Sequence, residues 1–200
     1  MMSIDEQQWE HILHIKTAGR DDSHSDWDHH PYEPTDYPVL ERLANMGYIG
    51  KRNTLLDYGS GKGRVSIFMA YQTGCQSIGI EYDERLYERA VMNGESDAAR
   101  NRVSFVLGDA ATYVVPTEVD RCFFFNPFSL HTIKRVMANI FDSLYEYPRS
   151  MQLFFYYPSR DTEAFLNEHW RLQLEETILC NDLFEEEDEK EKILIYSVLC

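Results

Sequence analysis

Short runs that are apolar throughout alternate along this chain with longer stretches in which apolar residues recur every three or four positions. The first pattern fits strands buried on both faces, and the second fits helices with one side on a core. Leu55-Leu56 leads into Asp57 as a first strand, and Val65, Phe68 and Met69 carry helical spacing just after it. Gln76 to Tyr82 and Val103 to Leu107 read as the second and third strands. Cys122-Phe123-Phe124-Phe125 is too apolar for anything but a buried central strand. A helix is expected from about Leu130 to Tyr145, a fifth strand from Met151 to Tyr157 and a helical stretch near Asp161 to His169. Two further strands are expected near Leu172 to Leu179 and Ile193 to Leu199, joined by an acidic run over residues 185–191. Strands alternating with helices in this way predict an α/β fold.

The first fifty residues behave differently. Residues 5 to 16 have a helical look, with Trp9, Ile12, Leu13 and Lys16 on one side. Residues 20 to 31 are polar and aperiodic, which predicts a solvated or lid-like loop. His24, Asp26, Asp28, His29 and His30 are metal-ligand types, but no Cys pair or helical His spacing accompanies them, so no metal site is expected. Tyr37 to Met46 reads as a helix, for which Thr35 is a candidate N-cap. The division expected is a helical or lid segment over 1–50 and a main domain over 51–200.

The chemistry concentrates between the first strand and the first helix of the main domain, at Asp57-Tyr58-Gly59-Ser60-Gly61-Lys62-Gly63-Arg64. Glycines in such a turn reach positive φ and let a ligand lie against the backbone, while the helix start offers free N–H groups. Dinucleotide folds want a glycine where Arg64 stands, and the Asp57 carboxylate would repel a pyrophosphate but suit a cationic amine. The D-x-G-x-G-x-G stretch resembles the first motif of class I S-adenosylmethionine (SAM)-dependent methyltransferases. That family's fold is a doubly wound, mostly parallel seven-stranded sheet with a C-terminal antiparallel hairpin, and the elements from Leu55 to Cys200 match its order.

The resemblance implies roles for further residues. Asp57, Gly59, Ser60, Gly61 and Gly63 would hold the methionine end of SAM. Glu81, at the end of the second strand, would accept from both ribose hydroxyls, with Tyr82 beside the adenine. Asp109 and Ala110, after the third strand, would meet the adenine edge. Asn126-Pro127-Phe128, after the fourth, resembles the Asn-Pro-Pro-aromatic motif of enzymes that methylate planar amino nitrogens, although it has one Pro where that motif has two. These three are the candidate catalytic residues, with Asn126 also near the cofactor. His131 is a weak candidate base, and a helix-start histidine is the simpler reading. Tyr32 and Thr35 resemble the segment that helps hold the SAM carboxylate in some small lysine methyltransferases.

Charge narrows the acceptor. Asp plus Glu number 34 against 19 Lys plus Arg, a net charge near −15. Nucleic-acid binders gain affinity from cations that neutralise phosphates, so a nucleic-acid acceptor is disfavoured. Protein side chains and small molecules are favoured, lysine among them. The four cysteines are widely spaced, and no basic-apolar leader or membrane-length apolar run is present, so a cytoplasmic protein is expected. The function expected is methyl transfer from SAM, leaving S-adenosylhomocysteine, to a nucleophile of nitrogen type. The alternatives are an adenine-type methyltransferase acting through Asn126-Pro127-Phe128 and a non-catalytic SAM-binding module. Oligomeric state is not legible in the sequence.

Overall fold

The computed structural model describes residues 4–20, 32–96, 98, 101–125, 128–186 and 188–199. Seven strands form one sheet in the order β3-β2-β1-β4-β5-β7-β6. They are β1 (Thr54–Tyr58), β2 (Gln76–Glu81), β3 (Val103–Leu107), β4 (Arg121–Phe125), β5 (Gln152–Tyr156), β6 (Leu172–Leu179) and β7 (Lys192–Val198). The first five are parallel, and β7 enters antiparallel between β5 and β6. This is the doubly wound sheet with a terminal antiparallel hairpin that the strand pattern and the resemblance predict.

Helices cover both faces, which is why the central strands carry no polar alternation. Leu55, Phe123 and Phe154 point into one core, against Trp9, Leu43 and Phe68 of α1 (Glu6–Leu13), α2 (Tyr37–Asn45) and α3 (Arg64–Thr73). Leu56, Phe124 and Phe155 point the other way, against Val136 and Ile140 of α5 (Leu130–Glu146) and Leu166 of α6 (Arg160–Glu168). Tyr58, Phe124 and Phe155 stand in register on adjacent strands and stack face to face at 4.7 and 4.4 Å. Such pairs add about 0.5–1.5 kcal/mol each beyond area burial.

Several boundaries move. The first helix closes early because His14 turns left-handed at φ 55°, although Asp5 and Gln8 form a complete capping box at its start. The N-cap of α2 is Asp36, which makes no side-chain cap bond, so Thr35 is not the cap. The fifth strand stops at Tyr156 because Tyr157 adopts φ 52°. A helix absent from the periodicity reading, α4 (Glu84–Gly94), follows β2. Its N-cap Asp83 accepts from the N–H groups of Arg85 and Leu86.

Candidate functional site

The strand order reverses between β1 and β4, the place where open α/β sheets form a crevice at their strand ends. Gly59 and Ser60 both donate their N–H groups to the Ile80 carbonyl, which lays the turn after β1 across the end of β2. Gly61 and Gly63 take φ 54° and 87°. A Cβ on Gly61 would stand 2.2 Å from the Tyr32 ring, and one on Gly63 would stand 2.5 Å from Phe105. The turn is therefore squeezed between an aromatic ring above and a strand side chain below, and only glycine fits.

Two carboxylates close the ends of the first two strands. Asp57 is fully buried and accepts from Ser66 Oγ at 2.8 Å. Burial pushes its pKa up to about 7, with the Ser66 bonds opposing and Glu81 adding repulsion. Glu81 accepts from the Gly61 N–H at 2.8 Å through Oε2 and from the Asp83 N–H at 2.9 Å through Oε1. Burial raises its pKa as well, and those backbone bonds pull it back. Each oxygen keeps lone-pair capacity for further donors.

Asp109 follows β3, and its carboxylate accepts from the Ala111 N–H at 2.8 Å. Ala110 is buried, and Gly108 donates to the Glu81 carbonyl at 2.9 Å, which ties this loop to the same row of strand ends. Tyr82 is 58% exposed at the margin. The sheet thus brings Asp57, Glu81 and the Asp109 loop together along one edge. Phe128 goes elsewhere. It is buried in the core beneath α5, away from the crevice lining. Asn126 and Pro127, like residues 21–31, lie outside the described residues. His131 is exposed on the first turn of α5.

The N-terminal segment forms the roof. A crevice of about 20 Å³ runs between Tyr32, Glu33, Thr35, Ser60, Phe123 and Phe125, with Asp57 at its floor. Ser60 Oγ is buried there and meets no hydrogen-bond partner among the described residues. Tyr32 donates from its hydroxyl to the Thr17 carbonyl at 2.6 Å.

Arg64 anchors that roof and is the residue the sequence pattern missed. Its side chain is 2% exposed. Nε donates to Thr17 Oγ1 at 2.7 Å, Nη1 to the Thr35 carbonyl at 3.2 Å, and Nη2 to Glu6. Glu10 lies 3.5 Å from Nη2, and the guanidinium sits 4.5 Å above the Tyr37 ring. A cation in the first turn of a helix opposes the helix dipole. Its presence straight after the glycine turn was the available signal, but its partners lie 29 to 58 residues away.

Residues 55–147 match the family model described as a methyltransferase domain. A protein-lysine N-methyltransferase of Saccharolobus islandicus (strain REY15A) is 28% identical over 82 residues, which cover 40% of this chain and 51% of that protein. The chain therefore spans about half the length of the curated relative it matches. Among solved structures, an RNA methyltransferase from Salinibacter ruber in complex with S-adenosyl-L-homocysteine superposes with TM-score 0.61 at 20% identity, over 84% of this chain and 94% of that one. A SAM-dependent methyltransferase from Thiobacillus denitrificans, also with S-adenosyl-L-homocysteine, gives TM-score 0.59 at 17% identity over the whole of both chains.

Proposed function

We propose that this chain, a class I SAM-dependent methyltransferase by its domain match and its fold, transfers the methyl group to an amine nitrogen on a protein side chain or a small molecule. The observation that carries the reading is the set of unmet needs around the crevice. A buried acid, Asp57, has a hydroxyl partner in Ser66 but an ionisation that burial penalises. Ser60 Oγ is buried without a partner beside it. The site fits a zwitterionic, phosphate-free nucleoside, which brings an ammonium to Asp57 and a polar group to Ser60.

In this reading Asp57 faces the amino group, and the glycine turn with Ser60 cradles the methionine chain. Glu81 holds the ribose hydroxyls with the lone pairs its backbone bonds leave free. Asp109 and Ala110 address the adenine, with Tyr82 at the margin. Tyr32 and Thr35 cover the methionine end. When bound, SAM supplies an electrophilic methyl on sulfur and leaves as S-adenosylhomocysteine. The protein's part is to align the two reactants and exclude water. Asn126 and Pro127 stay candidates on the motif resemblance alone, whereas Phe128, buried in the core away from the crevice, is given no role at the acceptor. The crevice is far smaller than the roughly 300–1,000 Å³ of small-molecule sites, so the Tyr32–Thr35 roof lifts to admit the cofactor.

A second reading has one observation in its favour. Lys16, Lys62, Arg85 and Arg89 line a cleft of about 640 Å³ beside the glycine turn, which suits a phosphate backbone. The relative with protein-lysine activity and the chain's overall acidity favour the first. Titration calorimetry with S-adenosylhomocysteine tests the cofactor assignment. Asp57→Ala and Glu81→Ala should each weaken binding by about 1.5–3 kcal/mol, the scale of a lost charge-assisted hydrogen bond. Unchanged affinity in both variants would overturn it.

A further inference from the structure

Beyond the crevice the aromatic wall continues, and its chemistry changes. Phe125 ends β4 on the crevice wall, and its ring lies 4.8 Å from that of Tyr156 and 6.4 Å from that of Tyr157, edge to face with the latter. Tyr156 is buried, whereas Phe125 and Tyr157 are only half-buried and form an open floor. Both tyrosine hydroxyls are already committed. Tyr156 donates to Glu191 and Tyr157 to Asp188, each at 2.6 Å. The two acids come from the chain between β6 and β7, so the acidic connection is drawn onto the aromatic floor.

The result is a half-buried π surface edged by carboxylates. Glu33 from the roof lines the adjoining crevice, and with Asp36 it repels Glu191, whose pKa burial and these neighbours raise. Aromatic faces attract alkylammonium groups, and a row of carboxylates at their edge, Glu191 part-buried among them, selects a cation over a neutral or anionic ligand. One ammonium of the chain already uses this surface, since Lys190 Nζ stands 5.4 Å above the Tyr157 ring.

We propose that Phe125 and Tyr157, edged by Asp188, Glu191 and Glu33, are the acceptor subsite, and that it selects a primary alkylammonium, carried by a protein lysine or by a free polyamine. Once held there the ammonium gives up one proton to solvent, and the nitrogen lone pair so freed takes the methyl group as the bond from that methyl to sulfur breaks and S-adenosylhomocysteine leaves. This rests on the methyltransferase reading above. It makes the β6–β7 connection, the most acidic stretch of the chain, the specificity element. Lys190 is the resident cation that the acceptor displaces.

The test is calorimetry on the full chain saturated with S-adenosylhomocysteine. The probes are an end-blocked lysine-containing peptide, spermidine and a single-stranded RNA oligonucleotide. The expected result is that the peptide or spermidine binds, the tighter of the two naming the source. The double variant Asp188→Asn with Glu191→Gln should weaken that binding about tenfold and leave S-adenosylhomocysteine affinity unchanged. Lys190→Met should tighten amine binding, because it removes the competing charge. Equal amine binding by wild type and double variant, absence of amine binding, or binding of RNA alone would overturn the subsite. Failure of wild type to bind S-adenosylhomocysteine would instead sink the underlying methyltransferase reading, and the subsite with it.

Discussion

The two ends of the site are built in opposite ways. At the proposed cofactor end, Asp57, Gly59, Ser60, Gly61 and Gly63 are nearly consecutive, and backbone geometry does most of the work. At the proposed acceptor end, Glu33, Phe125, Tyr157, Asp188 and Glu191 come from separate segments that the fold brings together. Backbone constraints leave a mark in sequence, because only glycine tolerates φ 54° against an overlying ring. Side-chain convergence across distant segments leaves none. Arg64 stands between the two regimes, since it begins in the glycine turn and ends among Glu6, Thr17 and Thr35.

The sharpest way to break the comparison is therefore Arg64. Arg64→Met strips Glu6 and Glu10 of their buried partner and leaves Thr17 and the Thr35 carbonyl short of a donor. Removing one member of a buried ion pair costs about 3–5 kcal/mol, and the half-exposed Glu6 brings the expectation to about 2–4 kcal/mol in denaturant unfolding. Arg64→Lys keeps the charge but not the planar fork, so it should recover only part of this. If the methionine variant unfolds like wild type, the roof is not anchored as described.

The next largest effect isolates the roof from its anchor. Gly61→Ala places a methyl group inside the Tyr32 ring and strains a residue at φ 54°, at a cost of about 1–3 kcal/mol. Tyr32→Ala in the same chain removes the clash but not the backbone strain. A double-mutant cycle should thus show partial rescue. Strictly additive losses would mean that the ring does not bear on the turn.

Much of this was legible beforehand. The central strands followed from apolar runs, because a sheet covered on both faces buries whole strands such as Cys122 to Phe125, whereas the seven-stranded order and its terminal hairpin, with the largely exposed β6, were implied by the family resemblance. The α4 helix escaped because it buries only Ala90 and Asn93, too little for a periodic stripe. Thr35 looked like a cap because its residue type fits one, yet its carbonyl is instead held by Arg64. Phe128 was a candidate through the Asn-Pro-Pro-aromatic resemblance, yet its side chain packs into the core beneath α5.

A third effect concerns protons. Burial holds the Asp57 pKa up to about 7, above its unfolded value of 3.8. The folded chain therefore keeps a proton that the unfolded chain loses, and this group's contribution to stability is full below the unfolded value and lost as pH climbs through about 7. An ammonium is attracted only by the ionised form. S-Adenosylhomocysteine affinity should accordingly rise about tenfold between about pH 6 and about pH 8 and then level, as one group titrating near 7 requires. Asp57→Asn should flatten that rise. A profile unchanged by Asp57→Asn would move the titrating group elsewhere.

The smallest expected effect is on stability at the acceptor end, and it is informative because it is small. Asp188 makes its bond to Tyr157 at the surface, where solvent and salt screen the charge. Asp188→Asn keeps the shape and an acceptor oxygen for the tyrosine hydroxyl. The melting midpoint should therefore move by no more than about 1 °C. Asp57→Asn, by contrast, alters a fully buried group and should shift the midpoint measurably, upward above about pH 7, because it removes the penalised charge. A carboxylate that contributes almost nothing to the fold yet holds its place on an aromatic floor is free to serve a ligand. A large drop in midpoint for Asp188→Asn would reassign it to the fold and erase the contrast between the two ends.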